Sequence, residues 1–159
     1  MTRRGALRPG GIAILALAVP ALAGLVACSD KDSDRTSRVK AYMVDVLEPA
    51  ADGIWEKAGY VITRDGEREL WPTTDEGWAA VVARAETIIE AGSVLASDDY
   101  AEDRDDWVDI SGGLVAAGEL VRDTALARDK DALFDAGGHL YRVCRSCHMV
   151  YWQEEGSGS

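Results

Sequence analysis

The feature that most constrains this chain is the run Cys144-Arg145-Ser146-Cys147-His148 near the C-terminus. Two cysteines separated by two residues and followed directly by a histidine form the attachment pattern of c-type haem. Each thiol can add to one vinyl group of the porphyrin, and the histidine is then held under the ring as an iron ligand. The motif predicts one covalent haem c on Cys144 and Cys147, with His148 as axial ligand. The alternative is a small-loop disulfide between the two cysteines, with His148 on the surface.

Length and charge restrict the class of protein. A chain of 159 residues favours a single domain. The net charge of −11 argues against a nucleic-acid partner, because phosphate binding needs a basic surface. An acidic surface either favours a basic protein partner or simply keeps the protein solvated.

The N-terminal stretch is predicted to be an export signal. It opens with Arg3 and Arg4, and the uncharged, largely apolar run Gly11–Ala27 follows. Residues 25–28 read Leu-Val-Ala-Cys, which is typical of a bacterial lipoprotein signal whose cysteine becomes the acylated first residue of the mature chain. The sequence therefore predicts a lipoprotein signal peptide over residues 1–27 and a lipid anchor at Cys28. The alternative is an ordinary cleaved signal with an incidental cysteine.

Export fits the haem motif, because covalent haem attachment takes place outside the bacterial cytoplasm. Removal of residues 1–27 takes away three arginines, so the net charge falls from −11 to −14. Residues 28–37 are polar and charged and are interpreted as a tether between anchor and domain. We expect the mature protein to face the periplasm, anchored to a membrane through Cys28.

The rest of the chain reads as helical. Apolar residues recur at helical spacing in four segments, and no stretch alternates as a strand would. Thr73 is the predicted cap of the second helix, Asp129 that of the fourth, and Pro49 should kink or restart the first. The predicted helices span residues 38–58, 73–95, 106–128 and 130–153.

These patterns predict an all-α domain over residues 38–153, an antiparallel four-helix bundle with covalently bound haem c. Residues 60–72 are interpreted as a connection and residues 154–159 as a flexible tail. On the fourth helix, Cys144 and His148 share a face, so the motif should turn towards the core.

The second axial position of the iron can be approached by elimination. His139 lies nine residues before His148, roughly on the opposite side of the same helix. Met149 shares the helix of His148 and cannot bind from the other side of the ring. Met43, on the apolar stripe of the first helix, is therefore the candidate second ligand. The alternative is that Met43 is a core methionine and the iron is five-coordinate.

A haem motif at the extreme C-terminus, on the last of four helices, resembles cytochrome c-prime and its low-spin six-coordinate relatives. The resemblance covers about residues 38–152. It implies that Cys144, Cys147 and His148 hold the haem and that Met43 is the distal residue. Segments that also look like this group are residues 48–55, Trp78 after Thr74-Asp75, and Tyr151-Trp152.

The chain departs from that family at one position. Many members carry an arginine one turn before the distal residue, whereas this chain has Val39 there. Arg142 or Arg145 could take over a propionate-binding role. The family also includes homodimers formed through the first two helices, so the resemblance makes a homodimer one option.

Three functions remain open. The first is a periplasm-facing, lipid-anchored electron carrier with a redox partner protein. The second is a five-coordinate protein that binds NO or CO. The third is a haem-free helical lipoprotein with a Cys144–Cys147 disulfide. An enzyme is not expected, since the sequence shows no catalytic constellation at a recognisable spacing.

Overall fold

The computed structural model describes residues 23–102 and 104–152, with side chains described from residue 32 onward. The described chain is mostly helical, which confirms the all-α class in its coarse form. The predicted signal peptide lies largely outside these residues, as does the predicted tail over residues 154–159. The helices are α1 Ala23–Tyr42, α2 Glu48–Trp55, α3 Asp75–Leu95, α4 Asp98–Ala101, α5 Asp105–Ala127 and α6 Lys130–Tyr151.

The first helix corrects the predicted tether. Residues 28–37, which the sequence predicts as a linker, belong to α1. Arg35 in this segment is buried, and its Nε donates a hydrogen bond of 2.6 Å to the carbonyl of Tyr100. The polar composition is misleading because the side chains of residues 32–37 face solvent apart from Arg35, which packs against the rest of the domain. Cys28 also lies on α1, and since the described side chains begin after it, its lipidation stays a prediction.

A π-helical turn, Met43–Leu47, joins α1 to α2. Pro49 lies in the first turn of α2 and has no N–H to donate. The turn before it widens, and the N–H of Glu48 donates to the carbonyl of Met43. The prediction that Pro49 restarts the helix is confirmed, and the irregular turn places Met43 at the point where the helix changes register.

A short β-hairpin lies within the predicted connection over residues 60–72 and contradicts the expectation that the chain forms no strand. Strand β1, Tyr60–Thr63, pairs antiparallel with β2, Gly66–Glu69. Gly66 has a φ of +133°, which a residue without Cβ adopts readily. The apolar residues of β1 are exposed, so burial does not enforce a clear alternating pattern and the sequence signal is weak.

The caps of the long helices agree with the sequence to within one residue. Thr74, not the predicted Thr73, caps α3, and its hydroxyl accepts from the N–H of Gly77. Asp129 caps α6 as predicted, with its carboxylate accepting from the N–H of Ala132. A side-chain oxygen in this position satisfies one of the unpaired N–H groups of the first turn.

The tightest helix contact in the described chain is between α3 and α5. A Cβ at Gly92 would lie 2.7 Å from Val115 Cγ2, and one at Gly118 would lie 2.8 Å from Ile89 Cγ1. Both glycines are buried, so the two backbones approach each other through them. The largest fully buried side chains are Ile54, Ile88, Leu133, Leu140, Val81 and Val121.

Helix α6 packs along α5 and touches α2 at one level. The indole N–H of Trp55 donates a hydrogen bond of 3.1 Å to the carbonyl of Gly137. Towards the C-terminal end of α6, the rings of Trp107 and Tyr151 meet edge to face with centroids 4.9 Å apart. Among the described residues, no helix combines the length and the apolar character that crossing a bilayer requires.

Candidate functional site

An open cleft of about 570 Å³ lies along the side of α6 that turns towards α2. Its volume is within the range of clefts that hold small-molecule ligands and cofactors. Aromatic rings form much of its wall, and the motif supplies three of its residues. The lining consists of Trp55, Tyr141, Cys144, Arg145, His148, Met149 and Trp152.

Helical geometry explains why these residues share the cleft. On α6, Tyr141, Cys144 and His148 recur at intervals of three or four residues, and the C-cap residue Trp152 follows His148 by four. Such intervals return to the same face after one turn, and the cap at Asp129 sets the start of the helix. Trp55 faces them from the end of α2, where its hydrogen bond to Gly137 fixes the indole.

Both cysteines of the motif are half-buried free thiols that pack against the core. Burial raises the pKa of the Cys144 thiol. Burial, reinforced by the neighbouring Cys144, raises the pKa of the Cys147 thiol to about 11, and Arg35 opposes that shift. Cys144 lines the cleft. Cys147 follows three residues later on the same face of α6, close enough to Arg35 for the guanidinium to act on its pKa.

His148 is exposed at the cleft, so the prediction that the motif turns towards the core holds for the two cysteines and is wrong for His148. Its ring is 4.9 Å from the indole of Trp152, centroid to centroid, at an interplanar angle of 56°. The backbone N–H of Trp152 donates a hydrogen bond of 2.9 Å to the carbonyl of His148. Trp152 thus ends the helix and flanks the imidazole at the same time.

A buried arginine lies next to the motif. Arg35 is 6% exposed, its guanidinium carbon is 4.2 Å from the centroid of the Trp107 ring, and its Nε is 3.9 Å from a carboxylate oxygen of Glu102. Burial lowers the pKa of Arg35, and repulsion from Arg104 adds to that effect. Its Nη2 is buried and makes no hydrogen bond to the described residues. A buried donor without a partner costs about 1–3 kcal/mol.

Tyr151 contributes a second polar atom of this kind. Its hydroxyl is buried and makes no hydrogen bond of acceptable geometry among the described residues. Burial and the nearby Asp106 carboxylate raise the pKa of Tyr151 to about 12, and Cys147 contributes to the shift. Asp106 is solvent-exposed, so its effect on the buried hydroxyl is screened by water. Arg35 and Tyr151 thus bring two orphaned polar atoms to the Cys147 side of α6.

Met43, the predicted second ligand, is half-buried against the core and does not line the cleft. Two contacts of the first helical segment, which runs from α1 to α2, show which part of α6 is at the same height as Met43. Trp55 touches Gly137, and Arg35 reaches Trp107, whose ring contacts Tyr151. Met43 lies between these two points, so it is roughly level with the motif.

His139 lies away from the cleft, as expected from its position on α6. It is half-buried, and Arg142 Nη2 lies 3.5 Å from its Nδ1. The described residues contain no group of three or more His, Cys, Asp and Glu side chains that could hold a metal ion.

Sequence reasoning missed Arg35, although a signal was present. Arg35, Val39 and Met43 are spaced by four residues, so the apolar stripe of the first helix extends backwards through Arg35. The surrounding Asp and Ser residues hid this continuation. Trp78, which the family resemblance singled out, lies in the core on α3 and does not line the cleft.

Comparisons with known proteins do not assign a function, so any functional proposal depends on the residues of the site. No protein-family description, curated protein or solved structure matches the chain.

Proposed function

We propose that the protein is a monohaem c-type cytochrome that carries electrons. The observation that carries this proposal is the joint placement of Cys144 and His148 on one aromatic-walled cleft, with Cys147 half-buried beside it. The two thiols would hold haem c, and His148 would be an axial ligand to its iron. When bound, haem supplies one-electron chemistry at iron.

The donor set of the site suits haem better than a bare ion. The motif offers one imidazole and two thiols on one helix, and a haem needs from the protein only one or two axial ligands. The cleft walls of Trp55, Tyr141 and Trp152 are flat and largely apolar, as a porphyrin face requires. The chemistry of the residues therefore fits the group.

The orphaned atoms beside Cys147 also fit haem. A haem carries two carboxylates, and an arginine donor without a partner is a natural site for one of them. Arg35 Nη2 is such a donor, and the Arg35 guanidinium is close enough to Cys147 to oppose the rise in its pKa. We assign this role to Arg35 rather than to Arg142 or Arg145, because both of those side chains are exposed.

The proposed fold is an antiparallel four-helix bundle formed by the first helical segment, α3, α5 and α6. In the first helical segment, residue 55 lies near residue 137 of α6, and residue 35 lies near residue 151. Residue numbers therefore fall along the first segment as they rise along α6. This order supports antiparallel neighbours. Export, a lipid anchor at Cys28 and a position on the periplasmic side of a membrane belong to the same proposal and rest on the N-terminal sequence.

Met43 is proposed as the second iron ligand because its level along α6 matches that of the motif. Histidine–methionine ligation favours low-spin iron and a raised potential, which suits electron transfer. In the haem-loaded protein, Met43→Ala should turn a low-spin optical spectrum into a high-spin one. Val46→Ala, a change at another half-buried position of the same turn, should leave the spectrum low-spin. An unchanged spectrum in Met43→Ala would remove Met43 from the iron.

A second candidate function is a five-coordinate protein that binds NO or CO. It is favoured by one observation, that Met43 does not line the cleft. Spectra of the exported protein, oxidised and reduced, with and without CO, separate the two functions. A low-spin spectrum that CO leaves unchanged supports the electron carrier, a high-spin spectrum that CO alters supports the gas-binding protein, and no haem absorption contradicts both.

A further inference from the structure

We propose that the exposed face of α6 around the motif is a docking surface for an acidic electron-transfer protein. The docking face consists of Tyr141, Arg142, Arg145, Met149 and Trp152. This inference rests on the proposed function and adds to it the charge of the partner and the place where it binds.

The charge of the docking face is opposite to that of the protein. The chain has a net charge of −11, yet residues 136–153 contain no Asp or Glu. The same stretch contains Arg142 and Arg145, which are exposed and form no salt bridge with another described residue. Two unneutralised cations beside the motif attract an anionic surface, and such attraction guides encounter and fixes orientation.

The composition of the docking face is that of a protein interface. Protein contacts are enriched in Trp, Tyr, Met and Arg, and Trp, Tyr and Arg dominate the binding energy. Tyr141 is 56% exposed, Met149 74% and Trp152 64%. Tyr141, Arg145, Met149 and Trp152 also line the proposed haem cleft, so a partner would cover the rim of that cleft around the haem.

Trp152 connects this surface to the proposed iron ligand. Its indole lies 4.9 Å from the His148 ring and is itself largely exposed. A partner seated on Trp152 would be in contact with the side chain that flanks the axial imidazole. A partner on the docking face would therefore lie beside the proposed iron ligand.

Helix α2, which lies across the cleft from α6, carries exposed acidic side chains. Glu48 and Asp52 are exposed on α2, seven and three residues before Trp55 and on its side of the helix. No salt bridge joins them to Arg142 or Arg145. An acidic partner would be repelled from α2 and held on the α6 side, which confines contact to the docking face.

Binding can be measured without relying on haem. The probe is an isotope-labelled acidic blue-copper protein in its diamagnetic Cu(I) form, titrated with the full mature chain and followed by NMR at low and high salt. We expect binding that weakens with salt, and affinity lower by about tenfold in the R142E/R145E double variant. The R64E/R68E double variant, with the same charge change on the hairpin, should bind as the parent does.

Electron transfer provides the second readout for the haem-loaded protein. The reduced protein is oxidised by the Cu(II) form of the same acidic partner, or by a lysine-rich c-type cytochrome, each accepting one electron. The rate with the acidic partner should fall as salt rises, and R142E/R145E should slow it by about tenfold at low salt. A protein that shows no haem absorption contradicts the proposed function, whereas the NMR titration still decides the docking face.

Two results would overturn the docking face. One is that the protein binds the lysine-rich cytochrome more tightly than the acidic partner, and that both double variants lose the same affinity. The overall acidic charge would then select the partner. The other is a several-fold gain in affinity when the chain is ended after Trp152, since the segment with Glu154 and Glu155 would then be the occupant of this face.

Discussion

The α3–α5 contact and the α2–α6 contact show two opposite ways of joining helices in one small domain. Between α3 and α5, Gly92 and Gly118 bring the backbones so close that a Cβ at either position would approach a neighbouring side chain to less than 3.0 Å. Between α2 and α6, the main link is a hydrogen bond from the Trp55 indole to the Gly137 carbonyl, and a cleft of about 570 Å³ opens beside it. The haem motif lies on the open side.

The difference indicates that the two pairs of helices have different roles in the protein. A close-packed pair of helices tolerates little change of volume and supplies rigidity. An open pair keeps space for a group that the polypeptide does not provide. We infer that contacts between α3 and α5 stabilise the fold while α2 and α6 would hold the proposed haem, and the following predictions test that comparison.

The largest effect is expected at Gly118. Replacing it by Ala adds a Cβ that would lie 2.8 Å from Ile89 Cγ1 and 3.1 Å from the Ile89 backbone nitrogen. Backbone cannot move aside as a flexible side chain can, so Gly118→Ala should destabilise the protein by about 2–3 kcal/mol in denaturant unfolding. The matched control is Gly112→Ala on the same helix, where nothing lies within 4 Å. That change should stabilise by up to about 1 kcal/mol, and equal effects of the two would contradict the close contact.

A smaller effect is expected from the buried thiol on the open side. In the haem-free protein the pKa of Cys147 is raised from 9.0 to about 11. The unfolded chain loses the Cys147 proton at a lower pH than the folded chain does. The contribution of this thiol to the free energy of unfolding is therefore fully present below pH 9 and decreases as the pH rises to about 11. The loss should not exceed about 2 kcal/mol, because the thiol is only half-buried.

Unfolding measured across that pH range, with Cys147→Ala beside the parent, checks the effect. The variant should show a flatter decline, while the contribution of Tyr151, whose pKa is raised to about 12, remains at higher pH. A decline that is identical in the two proteins would show that Cys147 is not buried as described.

The smallest effect is expected at Trp55. Trp55→Phe keeps a ring on the cleft but removes the donor to Gly137, which should cost about 1 kcal/mol in denaturant unfolding. Trp107→Phe is the comparison on the packed side, where the lost indole bond of 2.6 Å to the Leu95 carbonyl is buried. Trp107→Phe should therefore cost more than Trp55→Phe, and the reverse order would contradict the contrast between the two regions.

The sequence predicts the face of α6 well because a regular helix obeys its period. Cys144 and His148 line one cleft, as their spacing of four residues predicts, and Asp129 caps the helix as expected. The predictions failed where the chain is irregular or where one contact outweighs composition. Arg35 is buried in an otherwise polar segment, and the hairpin at Tyr60–Thr63 exposes its apolar side chains.

The residues of the first helical segment that face α6 could not be predicted from sequence. Helical period gives the face on which Met43 lies, but the π-helical turn at Met43–Leu47 shifts the register, and the distance between two helices is not encoded in either one alone. The orphaned Nη2 of Arg35 likewise emerges only from three-dimensional burial. Both features belong to the site, and both depend on contacts distant in sequence.

The mass of the mature protein tests the central claim most directly. The protein would be produced in a host able to attach haem c and analysed by mass spectrometry after denaturation, which removes any group that is not covalently bound. The account predicts a polypeptide heavier by one haem, and loss of that increment in the Cys144→Ala/Cys147→Ala double variant. A parent protein with the mass of the polypeptide and its anchor alone would contradict the claim that these two thiols hold a haem.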